Sequence, residues 1–217
     1  MFKSRLAIPF LILTITLFST MLARATSPAE TVAPAVSAGG ARLAGLSAVA
    51  AAKAEAEGAG GRIARGEYLV WFGGCNDCHT PWKMGPKGPE QDFSRRLSGH
   101  PADLEMPPAP ALPPGPWAMN ASGTMTAWSG PWGVSFTANL TPDKETGLGD
   151  WTEEMFIATM KTGRHQGKGR PLLPPMPYFN LQKLSDEDIK SVFAYLQSLT
   201  PIRNKVPAPI DPEEQVQ

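Results

Sequence analysis

Cysteine is scarce in this 217-residue chain, which has two, Cys75 and Cys78. Two cysteines build no disulfide framework and fall short of the four ligands of a structural zinc site. Histidine is scarce as well. His79, His100 and His165 are the three available, and their spacing from the cysteines matches no zinc module. Net charge is absent, with 20 Lys and Arg against 20 Asp and Glu. A chain without basic excess lacks the electrostatic footprint of a nucleic-acid binder. Long apolar runs are missing except near the first residue. Strand–helix alternation is also missing, so a C-x-x-C pair here has no thioredoxin-like βαβ setting.

What is present begins with an export signal. Lys3 and Arg5 precede an apolar run from Leu6 to Leu22, and Ala23-Arg24-Ala25 forms an A-x-A cleavage site. The run is about 17 residues long, at the short end for a membrane span. The expectation is therefore a signal peptide over 1–25, cleaved after Ala25. Left uncleaved, the same segment is a membrane anchor. Residues 26–61 are rich in Ala, Gly, Ser and Pro and poor in large apolar residues, so they read as a flexible tether.

The chemistry concentrates in Cys75-Asn76-Asp77-Cys78-His79, a C-x-x-C-H string that uses both cysteines. This is the pattern of c-type haem attachment. Thiols three residues apart sit on one turn and can form thioethers with the two vinyl groups of one haem. His79 then lies under the ring as proximal iron ligand. A disulfide, or a thiol oxidoreductase, is the competing reading of the same five residues.

Around this motif the pattern is helical. Ile63, Gly66, Leu69, Val70 and Phe72 or Gly73 recur at helical spacing and predict a helix over 62–74. Glycine in mid-helix costs roughly 1 kcal/mol against alanine, so Gly66 implies close approach of another helix. Residues 81–132 hold Pro107, Pro108, Pro110, Pro113, Pro114 and Pro116 together with Trp82, Trp117, Trp128 and Trp132. Proline at that density excludes a long helix or a central strand. The expectation is an irregular loop insertion with packed aromatics and at most a short hairpin near 119–133. Asp150 and Glu153 suggest a capping box for a second helix over 151–162, stopped by Gly163.

Gly163 to Arg170 is a glycine-rich basic loop that reads as solvated. A sharper reading sets Arg164 or Arg170 beside haem propionates, since a carboxylate pair wants a cation. Pro174-Pro175-Met176-Pro177 presents a soft thioether on a stiff segment, suited to low-spin haem iron. Ser185 caps a third helix whose stripe is Ile189, Val192, Phe193, Leu196 and Leu199, ended by Pro201. Residues 203–217 read as a Pro-rich tail.

A helix leading to C-x-x-C-H, a middle helix, a Pro-flanked Met loop and an amphipathic last helix resemble the class I c-type cytochromes over about 62–202. The chain is similar to monohaem periplasmic cytochromes and to dehydrogenase cytochrome subunits, which have stretches like Asn139 to Asp143 and Gly147 to Trp151. The resemblance implies an all-α fold of about three core helices around one covalent haem c, with the long insertion at about 81–132. It implies Cys75 and Cys78 as thioether anchors, His79 and Met176 as axial ligands, and Trp151 at the haem edge near the propionates. It implies crossing of the first and last helices, with Gly66 against Phe193 or Tyr195. The function implied is one-electron transfer in the periplasm by a carrier, not an enzyme. Its partners are a donor dehydrogenase and an acceptor oxidase or other cytochrome, with the membrane involved only if the N-terminal segment is uncleaved. A haem enzyme or gas sensor, with an open distal site or one ligated by His100 or His165, is the alternative.

Overall fold

A computed structural model describes residues 58–214. The expected signal peptide and the tether as far as residue 57 lie outside the described residues. Helix α1 occupies residues 58–72. It stops at Gly73 and Gly74, because Gly74 turns left-handed at φ 67°. The next turn is a separate short helix, α2, Cys75–His79. The sequence pattern runs one helix to residue 74; the glycine pair breaks it instead. Phe72, counted with the inner face, is 79% exposed, because it lies about 200° round α1 from the buried Val70.

Five short strands correct the all-α expectation. Strands β1 (Trp82–Gly85) and β2 (Gly88–Gln91) form an antiparallel hairpin. Strands β3 (Asn120–Ala121), β4 (Ala127–Gly130) and β5 (Gly133–Phe136) form a three-stranded antiparallel sheet. The prolines that seem to forbid strands sit where strands tolerate them. Pro86 and Pro131 occupy the two-residue turns of the hairpins, and Pro89 lies in β2, an edge strand of a two-stranded sheet. Gly133 at φ 92° closes the second turn, a geometry that favours glycine. The insertion is thus folded, with an extended proline-rich strap between the two sheets.

The apolar core lies among the helices. Helix α3 spans Glu153–Thr162 and α5 spans Asp186–Gln197. Val70 of α1, Phe156 of α3, and Ile189, Phe193, Tyr195 and Leu196 of α5 pack with Leu97 and Leu148. The Phe156 and Phe193 rings meet at 5.2 Å. Gly66 faces α5 so closely that a methyl group there would run into the carbonyl of Ser191 and the Cβ of Tyr195. Ser185 caps α5, accepting from the Asp188 amide at 3.1 Å, as its position suggests. The α3 cap is Thr152 rather than Asp150, its hydroxyl accepting from the Met155 amide at 3.2 Å. Two capping residues stand two apart, and the second lets Trp151 turn back onto the core. Helix α4, Tyr178–Leu181, is a single turn after the Met176 loop.

Beyond α5 the chain returns across the insertion. Asn204 donates to the carbonyls of Ser98 and His100 at 2.7 and 2.8 Å, and Ile210 pairs with Val134 of β5. Within the insertion, Asp92 is buried beside Ser94, Lys83 and Arg95, whose hydrogen bonds and charges hold its carboxyl down at about 2, from 3.8. A depressed carboxylate stabilises the fold above the unfolded value of 3.8 and loses that contribution as pH falls through about 2. Asp92→Asn is expected to cost about 1–2 kcal/mol at neutral pH, allowing for the screening of the exposed cations. Wild type and variant should converge in denaturant titrations taken down to about pH 2. A cost that stays constant over this range would show that charge is not what Asp92 contributes.

Candidate functional site

One turn of helix carries the motif. Residues three and four apart share a helix face, so α2 presents Cys75, Cys78 and His79 together. The turn is pinned from outside. Trp82 donates its indole N–H to the Asp77 carbonyl at 3.0 Å, and the Thr80 hydroxyl donates to Asn76 Oδ1 at 3.1 Å. Leu97 donates its amide to the Thr80 hydroxyl at 2.9 Å, and Gly99 donates to the His79 carbonyl at 2.8 Å.

His79 is buried at 8% exposure, and its Nδ1 lies 2.8 Å from the carbonyl oxygen of Ala138. A carbonyl only accepts, so Nδ1 carries the proton and Nε2 keeps its lone pair. Burial pushes the imidazole pKa down, against the raising effect of the Ala138 bond, so the ring stays neutral. A neutral imidazole oriented through its other nitrogen is the usual form of a metal-binding histidine. The two cysteines form no disulfide with each other. Burial pushes Cys75 up to about 11, and burial followed by the Asp77 charge raises Cys78. Thiols held protonated are poor nucleophiles, which weighs against thiol–disulfide exchange. Among the described residues no group of three or more His, Cys, Asp and Glu is placed to hold a metal ion.

The other two histidines differ. His100 is fully buried, with Nδ1 on the Thr126 hydroxyl at 2.9 Å and Nε2 on the Leu104 carbonyl at 3.2 Å. Both ring nitrogens are occupied, and the ring packs on Phe136 at 4.8 Å. His165 is exposed and meets Trp151 edge-on at 5.1 Å. Trp151 is half-buried against the core. Arg170 is exposed and donates to the Pro171 carbonyl at 3.3 Å; Arg164, also exposed, donates to Gly169 at 3.0 Å.

Met176 is half-buried on its loop, its amide donating to the Leu173 carbonyl at 3.2 Å and its carbonyl accepting from Tyr178 at 2.9 Å. The loop is tied to β5 by the Ser135 hydroxyl, which donates to the Pro174 carbonyl at 2.6 Å. Ser135 and Ala138 are three residues apart. One end of this short segment holds the Met176 loop, and the other holds His79. Three residues reach at most about 10 Å, so the Met176 loop and His79 are tied to one short stretch of chain. The donors fit a haem: an imidazole with a free lone pair, a soft thioether and two thiols on one turn. Two surface hollows of about 610 and 510 Å³ lie on the insertion, and neither is lined by His79 or Met176.

Sequence reasoning missed the residues that position this site. The Ala138 carbonyl is backbone and leaves no mark in the sequence. Asn139 belongs to a stretch that the family resemblance singles out, yet nothing in the sequence gives its role. Its Oδ1 accepts from the Thr141 amide and hydroxyl, and its Nδ2 donates to Thr146 and to the Ile202 carbonyl. That amide sets the backbone that turns Ala138 toward His79.

No family model matches the chain. It is 39% identical over 136 residues to the fructose dehydrogenase cytochrome subunit of Gluconobacter japonicus, a match covering 63% of this chain and 21% of that protein. It is 30% identical over 169 residues to the cytochrome c subunit of the quinone alcohol dehydrogenase of Gluconobacter oxydans, covering 75% and 27%. The gluconate 2-dehydrogenase cytochrome c subunit of Pantoea cypripedii is 30% identical over 133 residues, covering 61% and 22%. The chain thus spans between a fifth and a little over a quarter of the length of these relatives. Its resemblance to dehydrogenase cytochrome c subunits, read from the motif and the flanking stretches, holds over 61–75% of this chain.

Proposed function

We propose that this chain carries one haem c and passes single electrons from a dehydrogenase to an acceptor oxidase or another cytochrome. The observation that carries the reading is the bond from His79 Nδ1 to the Ala138 carbonyl, which leaves Nε2 free on a turn bearing both thiols. Cys75 and Cys78 would hold the group covalently, and His79 and Met176 would ligate its iron. Trp151 would pack against its edge, and Arg170 would supply a cation for its propionates. The bound iron supplies the chemistry, cycling between Fe(III) and Fe(II).

The chain's own residues do the rest. Ala138 holds the imidazole in one tautomer and orientation, so the ligand does not move when charge changes. Ser135 fixes the Met176 loop, and a thioether ligand raises the potential relative to a second imidazole. With His79 and Met176 both on the iron, the group would offer no open position to a substrate, and the role would be that of a carrier. Residues 1–25 export it to the periplasm and are removed after Ala25, 26–61 tether it, 62–202 form the cytochrome domain and 203–217 the tail. Among the described residues no helix is long and apolar enough to cross a membrane.

The test is the visible spectrum of protein made beside haem-attachment machinery, oxidised and reduced, then denatured. Haem that stays with the denatured chain, with the weak sulfur-to-iron band in the oxidised form, is expected. Met176→Ala should abolish that band and leave the haem attached. An unchanged band would remove Met176 from the iron, and the open-site or histidine-ligated reading would take its place.

A further inference from the structure

The outer face of α1 is apolar where a solvated helix face is usually polar. Tyr68, Trp71 and Phe72 are 56%, 49% and 79% exposed, and Phe93, from the turn after β2, joins them at 52%. Tyr68 and Phe72 stack at 5.9 Å with planes 11° apart, and Trp71 meets Phe93 at 6.0 Å. Arg65 lies over Tyr68 at 5.6 Å and Arg96 over Trp71 at 4.9 Å. These contacts hold the rings in place before any partner arrives, which lowers the ordering cost of docking. Three of the surrounding cations are paired, Arg65 with Asp188 at 2.9 Å, Arg62 with Glu153 at 3.6 Å and Arg95 with Asp92 at 3.0 Å, while Arg96 is half-buried between the Trp71 and Tyr195 rings. The face is therefore aromatic and close to neutral.

Its size says what kind of partner it fits. Aromatic side chains offer about 150–250 Å² each, so four of them at these exposures present roughly 500 Å². That lies toward the upper end for an exposed patch on a monomer, where such patches are often functional. It is well short of a permanent dimer interface and close to one side of a weak redox encounter, which buries under about 1,200 Å² in total. Its position suits the same use, because α1 ends at residue 72 and the Cys75 turn follows after two glycines.

We propose that this face is where a second haem-c protein docks transiently to exchange an electron, an inference that rests on the function proposed above. One electron leaves the reduced protein, which is oxidised, and enters the oxidised one, which is reduced; no bond or proton moves. A neutral aromatic face recruits a partner face of the same kind, so a second copy of this chain is a suitable haem-c probe.

The experiment uses the full chain with its haem attached. Attachment is checked first on the denatured protein, so a failure there counts against the proposed function and is seen before docking is measured. Electron self-exchange is then read from NMR line broadening in mixtures of oxidised and reduced protein. The wild-type rate should change less than about twofold between roughly 0.01 and 0.5 M salt. Phe72→Lys should slow exchange about tenfold or more, with ascorbate reduction and thermal unfolding unchanged, since Phe72 is 79% exposed. Trp117→Lys, on the proline-rich strap at 75% exposure, adds the same charge elsewhere and should leave the rate as it was. Exchange unaffected by Phe72→Lys, slowed equally by Trp117→Lys, or too slow in wild type to broaden lines would overturn the proposal.

Discussion

Gly66→Ala should lower stability by about 3 kcal/mol, at the upper end of the overpacking range. Alanine in a helix is ordinarily favoured over glycine by about 1 kcal/mol, so the sign is opposite to the local expectation. Packing decides it. The new methyl would occupy the space of the Ser191 carbonyl and the Tyr195 Cβ, and a helix backbone yields only by moving α1 away from α5. That movement opens the core at Val70, Ile189 and Leu196, all nearly or fully buried. Gly61 supplies the contrast, since it lies in the same helix with nothing within 4 Å of a Cβ. Gly61→Ala should raise the urea midpoint slightly, while Gly66→Ala should lower it by about 1–2 M. Equal midpoints for the two variants would mean that the helices adjust without strain, and the close-approach account would fail.

The second large effect concerns the thiols. Cys75→Ser with Cys78→Ser is expected to leave no haem on the denatured chain, where wild type should retain all of it. Serine keeps the size and burial of the turn, so the loss would be of bonds and not of fold. Far-ultraviolet circular dichroism should be unchanged at the helices, because α2 contributes only five residues. Haem that survives denaturation of the double variant would sink the assignment of the thioethers. The thiol oxidoreductase reading predicts the reverse in wild type: no attached haem and two titratable thiols. Burial makes that reading poor before the measurement, since Cys75 is held up at about 11, far from the thiolate that exchange requires.

Much of the helical part is legible in the sequence, for reasons that particular residues make plain. Ser185 is followed by three acidic residues and a clean apolar stripe, so cap, dipole and core face agree, and α5 forms there. Gly163 ends α3 in a left-handed turn at φ 65°. Gly66 announces a close neighbour, and of the two residues expected to meet it, Tyr195 does. The strands are not legible. Four-residue strands give two alternations at most, and the prolines beside them read as breakers when they are turn residues. Phe72 misleads because it follows the inward Leu69 by three residues yet falls about 200° round the helix from Val70, on the outer side. Of the candidate site, the motif and the Met176 loop are visible as residue types. The carbonyl of Ala138 and the hydroxyl of Ser135 are not, because a backbone acceptor and a lone serine gain their meaning only from what the fold sets beside them.

The return of the chain over the insertion has a consequence in time. Asn204 reaches Ser98 and His100 across 106 and 104 residues, and Ile210 closes on Val134. Contacts that far apart in sequence form late, since the closing entropy must be met before they reward it. Until these contacts form, the loop at 97–100, whose Gly99 amide donates to the His79 carbonyl, is unanchored at its outer side. The segment at 204–210 therefore sets when the surroundings of the motif are completed.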